Sequence, residues 1–150
     1  MKSILICFFL ILISTSCMKD QACTAAAPAT EESKIQDFFI ANSMAATKHS
    51  SGIYFEIMAP GFGIAPTSGS EITVGYVGKF LNGTIFDQNS RIKNHLNNFI
   101  EGWKLGIPLI KKGGTIRLVI PSAYAYGCTS YGNIPANSVL YFEINLIDVQ

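Results

Sequence analysis

Residue types able to carry covalent, acid–base or metal chemistry are few in this chain, and their spacing does not gather them. The two histidines, His49 and His95, stand in polar surroundings and neither has an assignable role. The four cysteines, Cys7, Cys17, Cys23 and Cys128, include no pair at metal-ligand spacing, so no metal site is expected. Gly61-Phe62-Gly63 lacks the third glycine and the helix pattern of a nucleotide-binding turn, and no cofactor is expected. The aromatic residues say more. Ten Phe, six Tyr and one Trp collect toward the ends of elements instead of scattering evenly.

Charge narrows the partners. Eleven Lys plus Arg against ten Asp plus Glu leave a net +1, with no long basic run or acidic tail. Nucleic acid and polyanions are therefore poor candidates, and a neutral, apolar partner is expected. The 150 residues suit one ordinary domain and a little more, and a 49% hydrophobic content can fill a core. Part of that content sits at the start. Met1-Lys2-Ser3 is a short positive stretch, and Ile4 to Ile13 is an unbroken apolar run. As a helix that run spans ~15 Å, about half a bilayer's hydrocarbon core, so residues 1–16 read as a secretory signal and not as a transmembrane anchor. Ser14-Thr15-Ser16-Cys17 resembles the lipobox of bacterial lipoproteins, although Ser14 stands where Leu is commonest. That resemblance implies a bacterial cell-envelope protein anchored to a membrane by a lipid on Cys17, on the periplasmic side or the cell surface. The alternative is cleavage near Ala25-Ala26-Ala27, releasing a soluble protein.

The remaining chain divides by pattern. Residues 17–33 lack an apolar face and read as a flexible tether. A disulfide from Cys23, in that tether, to Cys128 would gain little, so Cys128 is expected as a free thiol. Residues 34–50 form a lead-in, with Ile35, Phe38 and Phe39 at helical spacing. At nine residues this helix is marginal alone, which favours packing on its own domain over pairing with a second copy. The domain proper spans 51–150. Ile53, Phe55 and Ile57 alternate as a strand, 59–71 is a loop, and 72–87 is a hairpin turning at Asn82-Gly83. Residues 88–98 are polar and loop-like. Phe99, Trp103, Ile107 and Ile110 recur at helical period, with Pro108 forcing a bend or an early end. Strands at Thr115–Pro121 and Ser138–Val149 flank a long loop from Tyr124 to Ala136. The expected class is α+β: an antiparallel β-sheet wrapped around a short α-helix, with a short N-terminal helix.

Taken singly, Trp103 beside Ile107 and Ile110 reads as core, Tyr76 and Phe142 as strand aromatics, and Asp87 as the start of a turn. The ordered set reads otherwise. Val74-Gly75-Tyr76-Val77-Gly78-Lys79, Asn82-Gly83-Thr84-Ile85-Phe86-Asp87, Phe99-Ile100-Glu101-Gly102-Trp103, Ile120 through Gly127, Ile134-Pro135-Ala136-Asn137-Ser138 and Leu140 through Ile144 occur in sequence. They resemble, in the same order, the motifs of FKBP-type peptidyl-prolyl cis/trans isomerases. The resemblance implies a pocket floored by Trp103, walled by Tyr76, Phe86, Phe99, Ile100, Ile134 and Phe142, with Asp87 and Tyr126 at its rim. In the family the backbone N–H at the Ile100 position and the hydroxyl at the Tyr126 position hold substrate carbonyls. Tyr76, Phe86, Asp87, Trp103 and Tyr126 are the implied catalytic set.

The implied substrates are proline-containing unfolded or nascent exported polypeptides, and macrolide inhibitors are a further implied ligand class. Four departures from the family pattern occur, and the loop changes among them bear on these ligands. Gly75 and Val77 replace the His and Thr often found beside the tyrosine, neither at a pocket position. The 88–98 stretch is shorter than in archetypal members and offers only Ile92 and Leu96 as wall residues. Ala136 replaces a second proline, and the 127–133 loop is altered. Two alternatives stand beside the enzyme: a binding module or holdase using the same pocket without turnover, and a structural envelope lipoprotein that leaves the pocket unused.

Overall fold

Alternating faces of one sheet organise the chain. The structure, a computed structural model, describes residues 23–150. The expected signal, Cys17 and the tether as far as residue 22 lie outside the described residues. Helix α1 (Glu32–Ala41) is followed by β1 (Thr47–Lys48), β2 (Tyr54–Ala59), β3 (Glu71–Phe80), β4 (Ile85–His95), helix α2 (Glu101–Gly106), β5 (Thr115–Ile120) and β6 (Leu140–Val149). The six strands form one antiparallel sheet in the order β1-β2-β5-β6-β3-β4.

Successive strand residues point to opposite faces, so each strand feeds two clusters. Leu118 and Ile120 of β5, and Leu140 and Phe142 of β6, join Ile53, Ile72, Val74, Leu96, Ile107 and Ile110 in the main core. Val119 and Tyr141 turn the other way, where Ile35, Phe38 and Phe39 of α1 cover them together with Tyr54 and Met44. The amphipathic stripe of the N-terminal helix thus packs on its own domain.

Helix α2 lies close on β5 because glycines face the strand. A Cβ at Gly106 would come within 2.6 Å of Leu118, and one at Gly102 would collide with Ile120. Pro108 falls in the 3-10 turn Ile107–Leu109 that ends the helix after six residues, the early end its ring demands.

Two expectations need correction. Residues 88–98 are no loop: Ile85–His95 is a strand paired to β3, and a 3-10 turn follows at Leu96–Asn98. As an edge strand it has one neighbour and mostly exposed side chains, so polar residues suffice and the apolar alternation never develops. The described part of the expected tether is also packed. Pro28–Glu31 forms a 3-10 turn, and the Glu31 side chain, 1% exposed, accepts the Ser122 N–H at 2.8 Å. Cys128 is not free. It is bonded to Cys23, with the Cα atoms 5.7 Å apart, because residues 23–31 lie against the loop that follows β5. Among the described residues no helix is long and apolar enough to cross a membrane.

Candidate active site

The main core borders a cavity of about 240 Å³ lined by Tyr76, Phe86, Asp87, Asn98, Phe99, Ile100, Trp103, Tyr126, Tyr131 and Phe142. Trp103, 3% exposed, is its floor. Phe99 stacks on the indole at 4.8 Å between centroids, while Tyr76 and Phe142 meet it edge-on at 5.1 and 5.3 Å. The Trp103 Nε1–H is buried with no partner among the described residues, so the floor is apolar apart from one donor.

Backbone irregularity sets the side wall. Between Gly78–Asp87 and Lys79–Ile85 the β3–β4 register slips, leaving Phe86 as the extra residue. Its ring lies over Gly78, where a Cβ would stand 2.6 Å from Phe86 Cζ and 3.0 Å from Phe142 Cε1. Phe86 then meets Phe142 edge-on at 5.5 Å. Gly78 is thus the vacancy that admits the wall.

Polar groups stand at the rim. The Tyr76 hydroxyl donates to Asp87 Oδ2 at 2.5 Å. Burial pushes the Tyr76 hydroxyl's pKa well above its ordinary value, and the bond to Asp87 and that residue's charge push it further. Burial also raises the pKa of Tyr126, with the nearby Tyr131 and Asp87 adding to it. Both phenols therefore keep their protons at neutral pH and act as donors, not as bases or nucleophiles. Ile100 is the residue at the N-terminal boundary of α2, and its extended backbone (φ −58°, ψ 154°) turns the chain into the helix beside Trp103.

Of the residues expected at the site, Tyr76, Phe86, Asp87, Phe99, Ile100, Trp103, Tyr126 and Phe142 come together. Ile134 does not line the cavity. It is 5% exposed, packs in the core, and exchanges backbone hydrogen bonds of 2.9 and 2.8 Å with Tyr131. Tyr131 and Asn98 escaped sequence reasoning. Tyr131 stacks on Tyr126 with centroids 4.5 Å apart and planes at 8°, forming the wall that Ile92 and Leu96 do not supply. Leu96 is instead fully buried in the core and Ile92 only packs against it. The available signal was one aromatic residue in the otherwise small and polar run Thr129-Ser130-Tyr131-Gly132-Asn133.

A larger trough of about 670 Å³ runs along β3, β4 and β6 and is lined by Gln88, Asn89, Ser90 and Asn145 among others. It has neither Trp nor Phe in its walls, and the smaller aromatic cavity is the candidate site. No group of three or more His, Cys, Asp or Glu able to hold a metal ion occurs among the described residues.

The sequence profile of the family described as FKBP-type peptidyl-prolyl cis-trans isomerase matches residues 63–147. The FkpA isomerase of Buchnera aphidicola from Acyrthosiphon pisum is 43% identical over 106 residues, 68% of this chain and 44% of that protein. FkpA of Escherichia coli K12 is 37% identical over 105 residues, 67% of this chain and 39% of its own length. This chain therefore spans less than half the length of these curated relatives. The crystal structure of E. coli FkpA superimposes with a TM-score of 0.73 at 32% identity, covering 82% of this chain and 61% of that one. A Pseudomonas syringae peptidyl-prolyl cis-trans isomerase covers 83% of this chain and 98% of its own, with a TM-score of 0.69 at 34% identity. With a family profile spanning more than half of the sequence and an aromatic cavity built from the same motifs, the chain belongs to the FKBP-type peptidyl-prolyl cis-trans isomerase family.

Proposed function

We propose that the chain is an active peptidyl-prolyl cis/trans isomerase that assists the folding of exported bacterial proteins. The observation that carries this reading is the aromatic cavity of about 240 Å³, floored by Trp103 and rimmed by two un-ionised tyrosines. A prolyl amide turns slowly because its C–N bond is partly double, with a barrier of ~18–20 kcal/mol. In the twisted transition state that resonance is lost and charge separation falls. A cup that excludes water favours the less polar twisted form over the planar one, and each ~1.4 kcal/mol of preference gives a factor of ten in rate. No covalent step is needed.

Each side chain has a part in that account. The proline ring rests on Trp103, with Phe86, Phe99 and Phe142 closing its sides. The Tyr126 hydroxyl has no hydrogen-bond partner among the described residues and is free to donate to a substrate carbonyl. The Ile100 N–H would hold a second carbonyl. Asp87 holds the Tyr76 hydroxyl and keeps that ring edge-on to the floor. The substrates are proline-containing unfolded or nascent polypeptides. Macrolide inhibitors would compete for the cavity, gripping Tyr131 in place of a wall from the 88–98 strand. A secretory signal over 1–16 and a lipid on Cys17 would place the domain at a membrane of the cell envelope.

Exchange NMR of a Leu-Pro peptide tests the reading, comparing the chain with Phe86→Ala. Catalysed exchange lost in a folded Phe86→Ala protein supports it. No acceleration by the folded parent chain would sink it in favour of a non-catalytic peptide-binding module.

A further inference from the structure

The lip of the cavity is held from an unexpected direction. Tyr126 and Tyr131 sit in the loop between β5 and β6, outside regular strands, and their stack needs that loop to keep its shape. The Tyr124 hydroxyl donates to the Ser51 carbonyl and the Asn133 side-chain amide to the Phe86 carbonyl, and residues 23–31 add a further set of contacts along the loop. Cys23 is bonded to Cys128, two residues beyond Tyr126. A Cβ on Gly127 would stand 3.5 Å from that of Ala25. The Ala26 N–H donates to Asn137 Oδ1 at 3.3 Å, and Asn137 in turn donates its N–H to the Gly127 carbonyl at 2.8 Å. Glu31 Oε2 accepts the Ser122 N–H, at the 3-10 turn Ser122–Tyr124 that leads into Tyr126.

Glu31 is the unusual member. A carboxylate buried to 1% exposure has an apolar environment to overcome and needs a strong partner. It takes a backbone N–H 91 residues away, and its Oε1 and the Ser122 Oγ stay without partners among the described residues. Leu or Met at this position would leave the buried Ser122 N–H without its acceptor. The carboxylate specifies one position for the turn that carries the lip.

We propose that residues 23–31 are a positioning clamp for the Tyr126–Tyr131 lip, fastened at one end by the Cys23–Cys128 disulfide and at the other by Glu31 on Ser122. The clamp touches no substrate. It acts through the two tyrosines, and so sets how tightly a peptide is gripped more than how fast the bound amide turns. This rests on the isomerase reading for its kinetic consequence, but not for its structural one.

The test uses the chain with Cys23→Ser/Cys128→Ser, Glu31→Ala and Glu31→Gln, each first shown to be folded by its β-sheet amide spectrum. Opening the clamp should raise KM for a Leu-Pro peptide about five-fold with kcat within about two-fold, because a displaced lip weakens ground-state and transition-state binding alike. Glu31→Gln, whose amide oxygen still accepts the Ser122 N–H, should keep the parental KM where Glu31→Ala does not. Ring-to-ring NOEs between Tyr126 and Tyr131 should weaken in the double-serine and alanine variants. Unchanged NOEs and KM in a folded double-serine variant overturn the clamp. A parent chain without catalysis sinks the isomerase reading and leaves the NOEs to decide the clamp. If one variant fails to fold, the other end of the clamp supplies the same comparison.

Discussion

On one face of the sheet Phe38, Phe39, Tyr54 and Tyr141 pack ring against ring, with Phe38–Tyr141 and Phe39–Tyr54 centroids 5.2 and 5.3 Å apart. On the other face Phe99, Trp103, Tyr76 and Phe142 do the same at 4.8 to 6.4 Å. The residue types are nearly identical, yet all four rings of the first cluster are buried, whereas Tyr76 and Phe99 of the second are only half-buried at the cavity of about 240 Å³. The first cluster borders a cavity of about 220 Å³ as well, but Lys79, Arg117 and Glu143 share its lining and make it a polar recess. The ten residues of α1 lie over the first cluster, whereas α2 stops after six at a proline turn beside the second. One hydroxyl stands apart. Tyr54 donates to Glu32, Tyr141 to Glu143 and Tyr76 to Asp87, while Tyr126 at the rim has no hydrogen-bond partner among the described residues. An aromatic cluster becomes a site when the chain leaves it uncovered and unsatisfied.

The sharpest way to break this comparison is to remove what only the open face needs. Its lip depends on a cross-link that closes a separation of 105 residues. Replacing both cysteines by serine should cost about 4.7 kcal/mol in a chain-entropy account, read as a lower urea midpoint. Loss of a few tenths would mean that residues 23–31 do not constrain the unfolded chain through this bond. Next in size is the closed face. Ile35 is fully buried, so Ile35→Ala should cost about 2–5 kcal/mol while exchange per folded molecule stays at the parental rate. A fall in that rate would show the two clusters to be coupled through the sheet.

A smaller substitution probes the open wall alone. The Cβ of Gly78→Ala would press on the rim of the Phe86 ring, which is only half-buried and can swing away. Stability should fall by about 1–3 kcal/mol, the wall moves, and exchange should fall about ten-fold. Unchanged exchange would mean that Phe86 is packing and not a wall.

What could be read from the sequence follows the same division. Strand and helix periods alone read Tyr76, Trp103 and Phe142 as packing, and only the ordered motifs that resemble the family marked them, with Phe86, as a pocket. Pro108 announced a bend or an early end of the helix. Three features were not legible. The β4 edge strand, with Gln88, Asn89, Ser90 and Arg91, carries no apolar alternation because water, not core, faces most of it. Tyr131 reaches the cavity only through the path of an irregular loop, which no local period encodes. The Cys23–Cys128 pairing occurs beside the Glu31–Ser122 bond across 91 residues, and an acidic residue in an Ala- and Thr-rich stretch looks like tether until that partner is seen.

The smallest expected effect tests whether the two faces treat their tyrosines alike. Tyr76 on the open face donates to Asp87, and Tyr141 on the closed face donates to Glu143. In each case burial first, and then the carboxylate bond and charge, raise the hydroxyl's pKa above its ordinary value. An unfolded tyrosine titrates near ~10. Below that pH both states hold the proton, and the stabilisation from these bonds is fully present. Above it the unfolded chain releases protons that the folded one retains, so stability falls as pH rises toward the folded-state values. The thermal midpoint should therefore be flat from about pH 7 to 9 and decline above about 10. Tyr76→Phe and Tyr141→Phe should each flatten that decline, and the pair should flatten it more. Tyr76 is the more solvated of the two, so its share should be the smaller, and salt should erode it first. A decline equally steep in the double variant would place the alkaline limit elsewhere, in Tyr54 and Tyr126, whose hydroxyls burial also pushes up.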